Sequence, residues 1–186
     1  MIALDPTKPL VWTIDDFCTP EECARLVDRI ETAKPEAAPI TTASGFMMAP
    51  KIRNNERVVF DDAELAMRLF DRARPRLPES MLGRRPVGAN ERFRAYRYRT
   101  GQRFKAHYDG AFVRNGEEQS FLTFMVYLNE GFEGGETAFL DLERIVAPRT
   151  GTALFFQHHL LHEGREVSVG TKYVLRTDVM FRANAA

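Results

Sequence analysis

From Glu91 to Phe181 the chain is cut into short segments of strand length: Arg92–Arg99, Phe121–Leu128, Thr137–Leu140, Ala153–Gln157, Glu166–Val169 and Lys172–Phe181. Each is apolar throughout or alternates apolar with polar residues, and turns containing Gly separate them. An amphipathic helix needs apolar residues every three or four positions over a longer run, so these segments read as strands. Several strands at short spacing, some joined by long connections, restrict this half of the chain to a sandwich or jelly roll.

Helix signals are confined to the residues before Glu91. Thr19-Pro20-Glu21-Glu22 is a capping box with Pro in the first turn, which predicts a helix from Pro20 to about Thr32 with Cys23, Leu26, Val27 and Ile30 inward. Asp61-Asp62 places acids where a second helix would start, with Leu65, Leu69 and Phe70 inward before Pro75 ends it. The expected fold is mainly β, α+β in class: a double-stranded β-helix (jelly roll) over about 91–182, buttressed by helices over about 1–90, in a single domain spanning 1–186. Stretch 79–92, with two Gly and a Pro, reads as a mobile loop able to close over a site. Arg53-Asn54-Asn55-Glu56-Arg57, just before the apolar Val58-Val59-Phe60, reads as a surface loop before a strand or as a substrate edge, with Asn55 and Arg57 as candidate substrate residues.

Composition enters by exclusion. With 44% apolar residues the chain can bury a core without staples, and its two cysteines, Cys18 and Cys23, allow neither a disulfide framework nor a structural zinc site. Two free thiols fit a reducing compartment. No secretory leader pattern and no run of about 18 apolar residues occurs, so a soluble, cytoplasmic protein without membrane contact is expected. The 26 basic residues balance 26 acidic ones, which makes nucleic acid an unexpected partner. The charge is locally uneven: eight basic residues and one acid, Glu91, fall between Arg84 and Lys105. That segment is either a solvated strand face or a site for an anionic substrate.

All four histidines lie in the β-rich half, at 107, 158, 159 and 162. In His107-Tyr108-Asp109 the first and third residues of an extended segment share a face, so an imidazole and a carboxylate can meet one ion. A third ligand from His158, His159 or His162 would give two imidazoles and one carboxylate, a set that holds Fe(II) with positions left open. Lys172 opens an apolar strand, where an ammonium needs a partner.

The order and spacing of these residues resemble the iron(II) and 2-oxoglutarate dependent dioxygenases, in the prolyl 4-hydroxylase-like branch. The resembling features are Tyr98 nine residues before His107, the His-x-Asp pair, Tyr127-Leu128-Asn129, the Gly134–Phe139 segment, and His162 ten residues before Lys172. The likeness spans about Glu91 to Phe181. It implies His107, Asp109 and His162 as catalytic metal ligands, His162 being preferred because it alone has the Lys172 spacing. It also implies Lys172 and Tyr98 at the far carboxylate of 2-oxoglutarate, with Tyr127 and Thr137 lining the same pocket beside Thr123 and Met125. Fe(II), 2-oxoglutarate and O2 are the implied reactants, with ascorbate supporting activity. Retention of Asp109 favours hydroxylation over halogenation.

Arg176 shares a strand face with Lys172, Val174 and Asp178, so it points inward and needs a carboxylate, either an acid of the protein or an anionic group of the substrate. The reading is therefore a hydroxylase acting on an unactivated C–H bond of a small molecule, amino acid or peptidyl residue. A non-catalytic jelly roll that binds metal or organic acid, or senses them, is the alternative from another class. Nucleic-acid demethylation is a third, hinted at only by the Arg-rich segment.

Overall fold

The computed structural model describes residues 4–42 and 44–183. Its main sheet has eight strands, and its centre is the long strand Thr171–Ala183. Glu118–Tyr127 pairs along one side of that strand, and beyond it lie Ala153–Gln157 and the edge strand Val11–Ile14. On the other side Arg92–Arg99 pairs with its first half and Arg84–Ala89 with its second. Glu56–Asp61 and the short Glu36–Ala37 extend the sheet outward from Arg92–Arg99. A smaller sheet runs in the order Arg144–Val146, Thr137–Phe139, His162–Gly164, Phe104–His107.

Strand period explains how three layers are glued. Along Arg92–Arg99, Phe93 and Ala95 face a core shared with the helices, while Tyr96 and Tyr98 face a core between the sheets. Along Ala153–Gln157, Phe155 joins the helix-side core, and Leu154 and Phe156 join the inter-sheet core. Central strands buried on both faces have no polar side to alternate with, which is why they read as continuous apolar runs. The helices Pro20–Thr32 and Ala63–Ala73 cover the outer face through Cys23 and Ile30, and through Leu65, Leu69 and Phe70. Thr19 and Glu22 make the reciprocal capping box, and Asp62 caps the second helix by accepting from the Leu65 N–H. Arg97 ties helix to sheet, its guanidinium 2.6 Å from both Glu31 and Glu56.

The N-terminal half differs from the expected helical support. Val11–Ile14, Glu56–Asp61 and Arg84–Ala89 are strands of the main sheet, so stretch 79–92 is mostly sheet rather than a free loop. Arg84–Ala89 carries Pro86 and Gly88, residues that weaken a strand pattern, and the pairing there shifts register between Met180 and Phe181. Cys18 and Cys23 are buried and unpaired thiols. Among the described residues no helix is long and apolar enough to cross a membrane.

Candidate metal centre

His107 ends the strand Phe104–His107 and His162 begins His162–Gly164, and the two residues stand directly opposite each other in antiparallel pairing. That register places the imidazole centroids 4.3 Å apart. Asp109 follows two residues after His107, its backbone N–H donating to the His158 carbonyl at 3.0 Å. Its Oδ1 lies 3.8 Å from His107 Nε2 and its Oδ2 3.6 Å from His162 Nε2. One ligand atom from each of the three residues falls within 4.8 Å of the others.

The protonation of both imidazoles follows from their partners. His107 Nδ1 lies 2.8 Å from the Lys105 carbonyl and His162 Nδ1 lies 2.9 Å from the Leu160 carbonyl. A carbonyl only accepts, so each Nδ1 carries the hydrogen and each Nε2 turns a lone pair towards Asp109. Burial brings His107 down to about 3, and burial lowers His162 as well. Both rings are therefore neutral at neutral pH. Burial alone would raise the Asp109 carboxyl, but the Arg176 guanidinium outweighs it and keeps the group ionised. Two neutral nitrogens and one carboxylate facing a common point, with no further donor of this kind joining them among the described residues, fit a ferrous ion with open positions.

His158 serves Asp109 indirectly. Its Nδ1 lies 3.0 Å from Thr123 Oγ1, and the Thr123 hydroxyl donates to Asp109 Oδ2 at 2.6 Å. Thr123 has one hydrogen, so His158 Nδ1–H is the donor to it, and His158 Nε2 accepts from the Ser120 hydroxyl at 2.7 Å. This chain of three hydrogen bonds fixes the carboxylate's orientation. His159 stands apart, with its ring 6.4 Å from that of Tyr108.

Lys172 is opposite Tyr98 in the sheet and only 2% exposed. Its ammonium donates to the Gly135 carbonyl at 2.5 Å and lies 5.2 and 5.4 Å from the ring centroids of Tyr98 and Tyr127. No carboxylate lies within ion-pair distance of it among the described residues, and burial brings its pKa down to about 7. The same cavity is lined by Tyr98, His107, Asp109, Thr137, His162 and Lys172. An unpaired ammonium thus sits in one cavity with the three candidate ligands, a complement to a dicarboxylate that also reaches a metal.

Residues 93–177 match the family model for the 2OG-Fe(II) oxygenase superfamily. That match takes in Tyr98, His107, Asp109, Thr137, His162 and Lys172, and the chain is similar to prolyl hydroxylases. It is similar to prolyl 4-hydroxylase 13 of Arabidopsis thaliana, 28% identical over 174 residues that make up 80% of this chain and 60% of that protein. It is also similar to a putative prolyl 4-hydroxylase of Acanthamoeba polyphaga mimivirus, 30% identical over 108 residues, 48% of this chain and 44% of that one. The chain spans about half the length of the curated relatives it matches. Among solved structures, the 2OG complex of the viral collagen prolyl hydroxylase from Paramecium Bursaria Chlorella virus-1 superposes with a TM-score of 0.68 at 26% identity, covering 95% of this chain and 98% of that one. A Pseudomonas putida prolyl-4-hydroxylase shares the fold with a TM-score of 0.70 at 17% identity, covering 91% and 92% of the two chains. The superfamily implies Fe(II), 2-oxoglutarate and O2 as reactants.

The fold brings most, not all, of the sequence candidates to this cavity. Tyr98 and Thr137 line it; Tyr127 is fully buried behind Thr137, its hydroxyl 2.7 Å from Thr137 Oγ1. Arg176 Nη2 lies 3.0 Å from Asp109 and 3.4 Å from Asp178, while its Nε is buried without a partner. Arg57 lines an outer cavity that shares Tyr96, Phe104, His107, Asp109 and Arg176 with the inner one. Asn55 does not reach either cavity: it is fully buried and accepts from Arg53 Nε at 2.8 Å, so it orients an arginine rather than a substrate. Sequence reasoning named Arg53 only as part of the 53–57 segment and missed Arg94, Ser120 and the His158–Thr123 pair. Arg94 carried a usable signal, because period two puts it on the same face as Tyr96 and Tyr98. Arg53 carried none of its own.

Proposed function

We propose that this chain is an Fe(II)- and 2-oxoglutarate-dependent dioxygenase that hydroxylates an unactivated C–H bond of a small molecule, amino acid or peptidyl residue. The observation that carries the reading is the meeting of His107, Asp109 and His162 in one cavity with the unpaired ammonium of Lys172. The relatives' names, all prolyl hydroxylases, support a peptide or amino acid substrate class.

In this reading His107 Nε2, His162 Nε2 and an Asp109 oxygen hold the iron, and Lys172 receives the far carboxylate of 2-oxoglutarate. Bound there, the iron and its cosubstrate would supply the oxidising chemistry, in which 2-oxoglutarate and O2 yield succinate, carbon dioxide and a hydroxylated product. The chain's own part is orientation. Lys105 and Leu160 carbonyls lock the two imidazole tautomers, so neither ring must shed a proton to bind a cation at neutral pH. Thr123 anchors one Asp109 oxygen. The Tyr98 phenol, held neutral by burial, and the Thr137 hydroxyl offer hydrogen bonds beside the ammonium, while Phe104, Met125 and Val174 keep the wall apolar. The two buried thiols support a reducing, cytoplasmic setting, and ascorbate would keep the iron ferrous between turnovers.

The test is succinate formation by purified protein given Fe(II), 2-oxoglutarate and ascorbate. Slow release without added substrate, abolished by omitting iron, is the expected result. Absence of succinate across a wide panel of amino acids and peptides, with iron bound, would favour the non-catalytic alternative.

A further inference from the structure

The outer cavity, of about 340 Å³, is lined by four arginines, Arg53, Arg57, Arg94 and Arg176, and by a single carboxylate, Asp109. Three of them come from adjacent strands of the main sheet. Arg94 lies directly opposite Arg176, and Arg57 lies opposite Tyr96 in the next row of the same face. Like charges directly opposed across paired strands are destabilising, so the arrangement needs an anion to balance it. The protein supplies too few. Asp178 is shared, 3.5 Å from Arg94 and 3.4 Å from Arg176, and Asp109 is the acid that a metal would claim. Arg57 has no acid within ion-pair distance among the described residues and lies 5.5 Å over the Phe46 ring.

Two donors are left over in the buried part of this wall. Arg53 is 5% exposed and stacks on Tyr96 and Phe104 at 4.8 and 4.3 Å, yet its Nη2 is buried without a partner. Arg176 Nε is buried and unpartnered as well. Leaving charged donors desolvated and unpaired is costly unless a ligand pairs with them. The field is strong enough to move a phenol: burial would raise Tyr96, but Arg176, Arg53 and Arg94 together bring it below its ordinary value. Lys172 stands at the other end of the connected cavities, so the cosubstrate's far carboxylate has its own cation and does not account for these.

We infer that the substrate carries a carboxylate, received at the mouth of the site by the guanidinium groups of Arg57, Arg94 and Arg176. This rests on the reading of the triad as an iron site and adds the substrate's charge class to it. A free main-chain carboxylate and an acidic side chain both supply the group, in the planar form that a guanidinium fork matches.

The test uses the full chain loaded with Mn(II) and saturating 2-oxoglutarate, so that binding is measured without turnover. N-acetyl amino acids with a free carboxylate, the same compounds as primary amides, and the primary amides of N-acetyl-aspartate and N-acetyl-glutamate are titrated by calorimetry. At least one carboxylate compound is expected to bind ten-fold or more tightly than its neutral counterpart. Arg57→Gln should remove that advantage and Arg57→Lys should keep part of it, with thermal melting showing both variants folded. Preference for the first or the third set names the source of the carboxylate. Equal binding of acids and neutral amides, no binding by any acid, or an advantage untouched in Arg57→Gln overturns the inference. Mn(II) binding in the same cell separates the outcomes, because its loss would remove the iron reading itself.

Discussion

Lys172 is a cation held where burial disfavours its charge, and its pKa near 7 makes its two roles pH-dependent. Below about pH 7 the ammonium is charged in the free protein and a dicarboxylate binds without proton uptake. Above it, binding must first protonate the amine, so 2-oxoglutarate affinity should fall, by up to about ten-fold per pH unit, with a proton taken up from buffer. Calorimetry in buffers of different ionisation enthalpy reads both. For stability the sign follows from the unfolded chain binding the proton more tightly: the ligand-free protein gains stability as pH rises from about 7 to the ordinary lysine value of 10.5, and the burial cost is full below that window. Lys172→Met should accordingly stabilise the ligand-free fold, on the order of 1–4 kcal/mol, while eliminating 2-oxoglutarate binding. Thr123 offers a second residue-scale test. Thr123→Val removes the hydroxyl between Asp109 and His158, leaving the His158 Nδ1–H without an acceptor. Denaturation should show a loss of about 1–3 kcal/mol, and metal titration a 10–100-fold loss of affinity.

At the scale of elements, the two sheets meet the site through short, strictly placed backbone. Gly134 has φ +74°, and a Cβ there would lie 2.3 Å from the Glu166 carbonyl. Gly134→Ala should lower the melting temperature and, by displacing the adjoining Gly135 carbonyl, weaken 2-oxoglutarate binding too. Elements whose residues are buried on one rule were legible beforehand. Pro20–Thr32 announces itself through its capping box, and Ala153–Gln157 through an unbroken apolar run. Glu56–Asp61 was legible only as a strand following the 53–57 loop, and Arg84–Ala89 was not legible as sheet because Pro86 and Gly88 interrupt its strand pattern. The site divides in the same way. His107 and Asp109 could be read from spacing within one extended segment, whereas the choice of His162 and the role of Lys172 came with the family resemblance. Asn55 was misjudged because its polarity looked like exposure, whereas its partner Arg53 buries it. Arg94 became significant only once strand pairing set it against Arg176.

For the whole molecule, the candidate ligands come from the smaller sheet and the loop after it, while the ammonium comes from the central strand of the larger. A metal and a dicarboxylate bound together would bridge the two sheets. Each should stabilise the fold by mass action, by about 2.7 kcal/mol for a ligand at one hundred times its Kd, read as a rise in melting temperature, and a chelator should reverse the metal's share. The central claim is that two imidazoles on facing strands and one carboxylate make a single ferrous site. Anaerobic calorimetric titration of Fe(II) into the metal-free wild-type chain, His162→Ala and His159→Ala tests it most directly. One tight site is expected in the wild-type and His159→Ala proteins and none in a folded His162→Ala. Undiminished Fe(II) binding by His162→Ala, or loss of binding in His159→Ala alone, would contradict it.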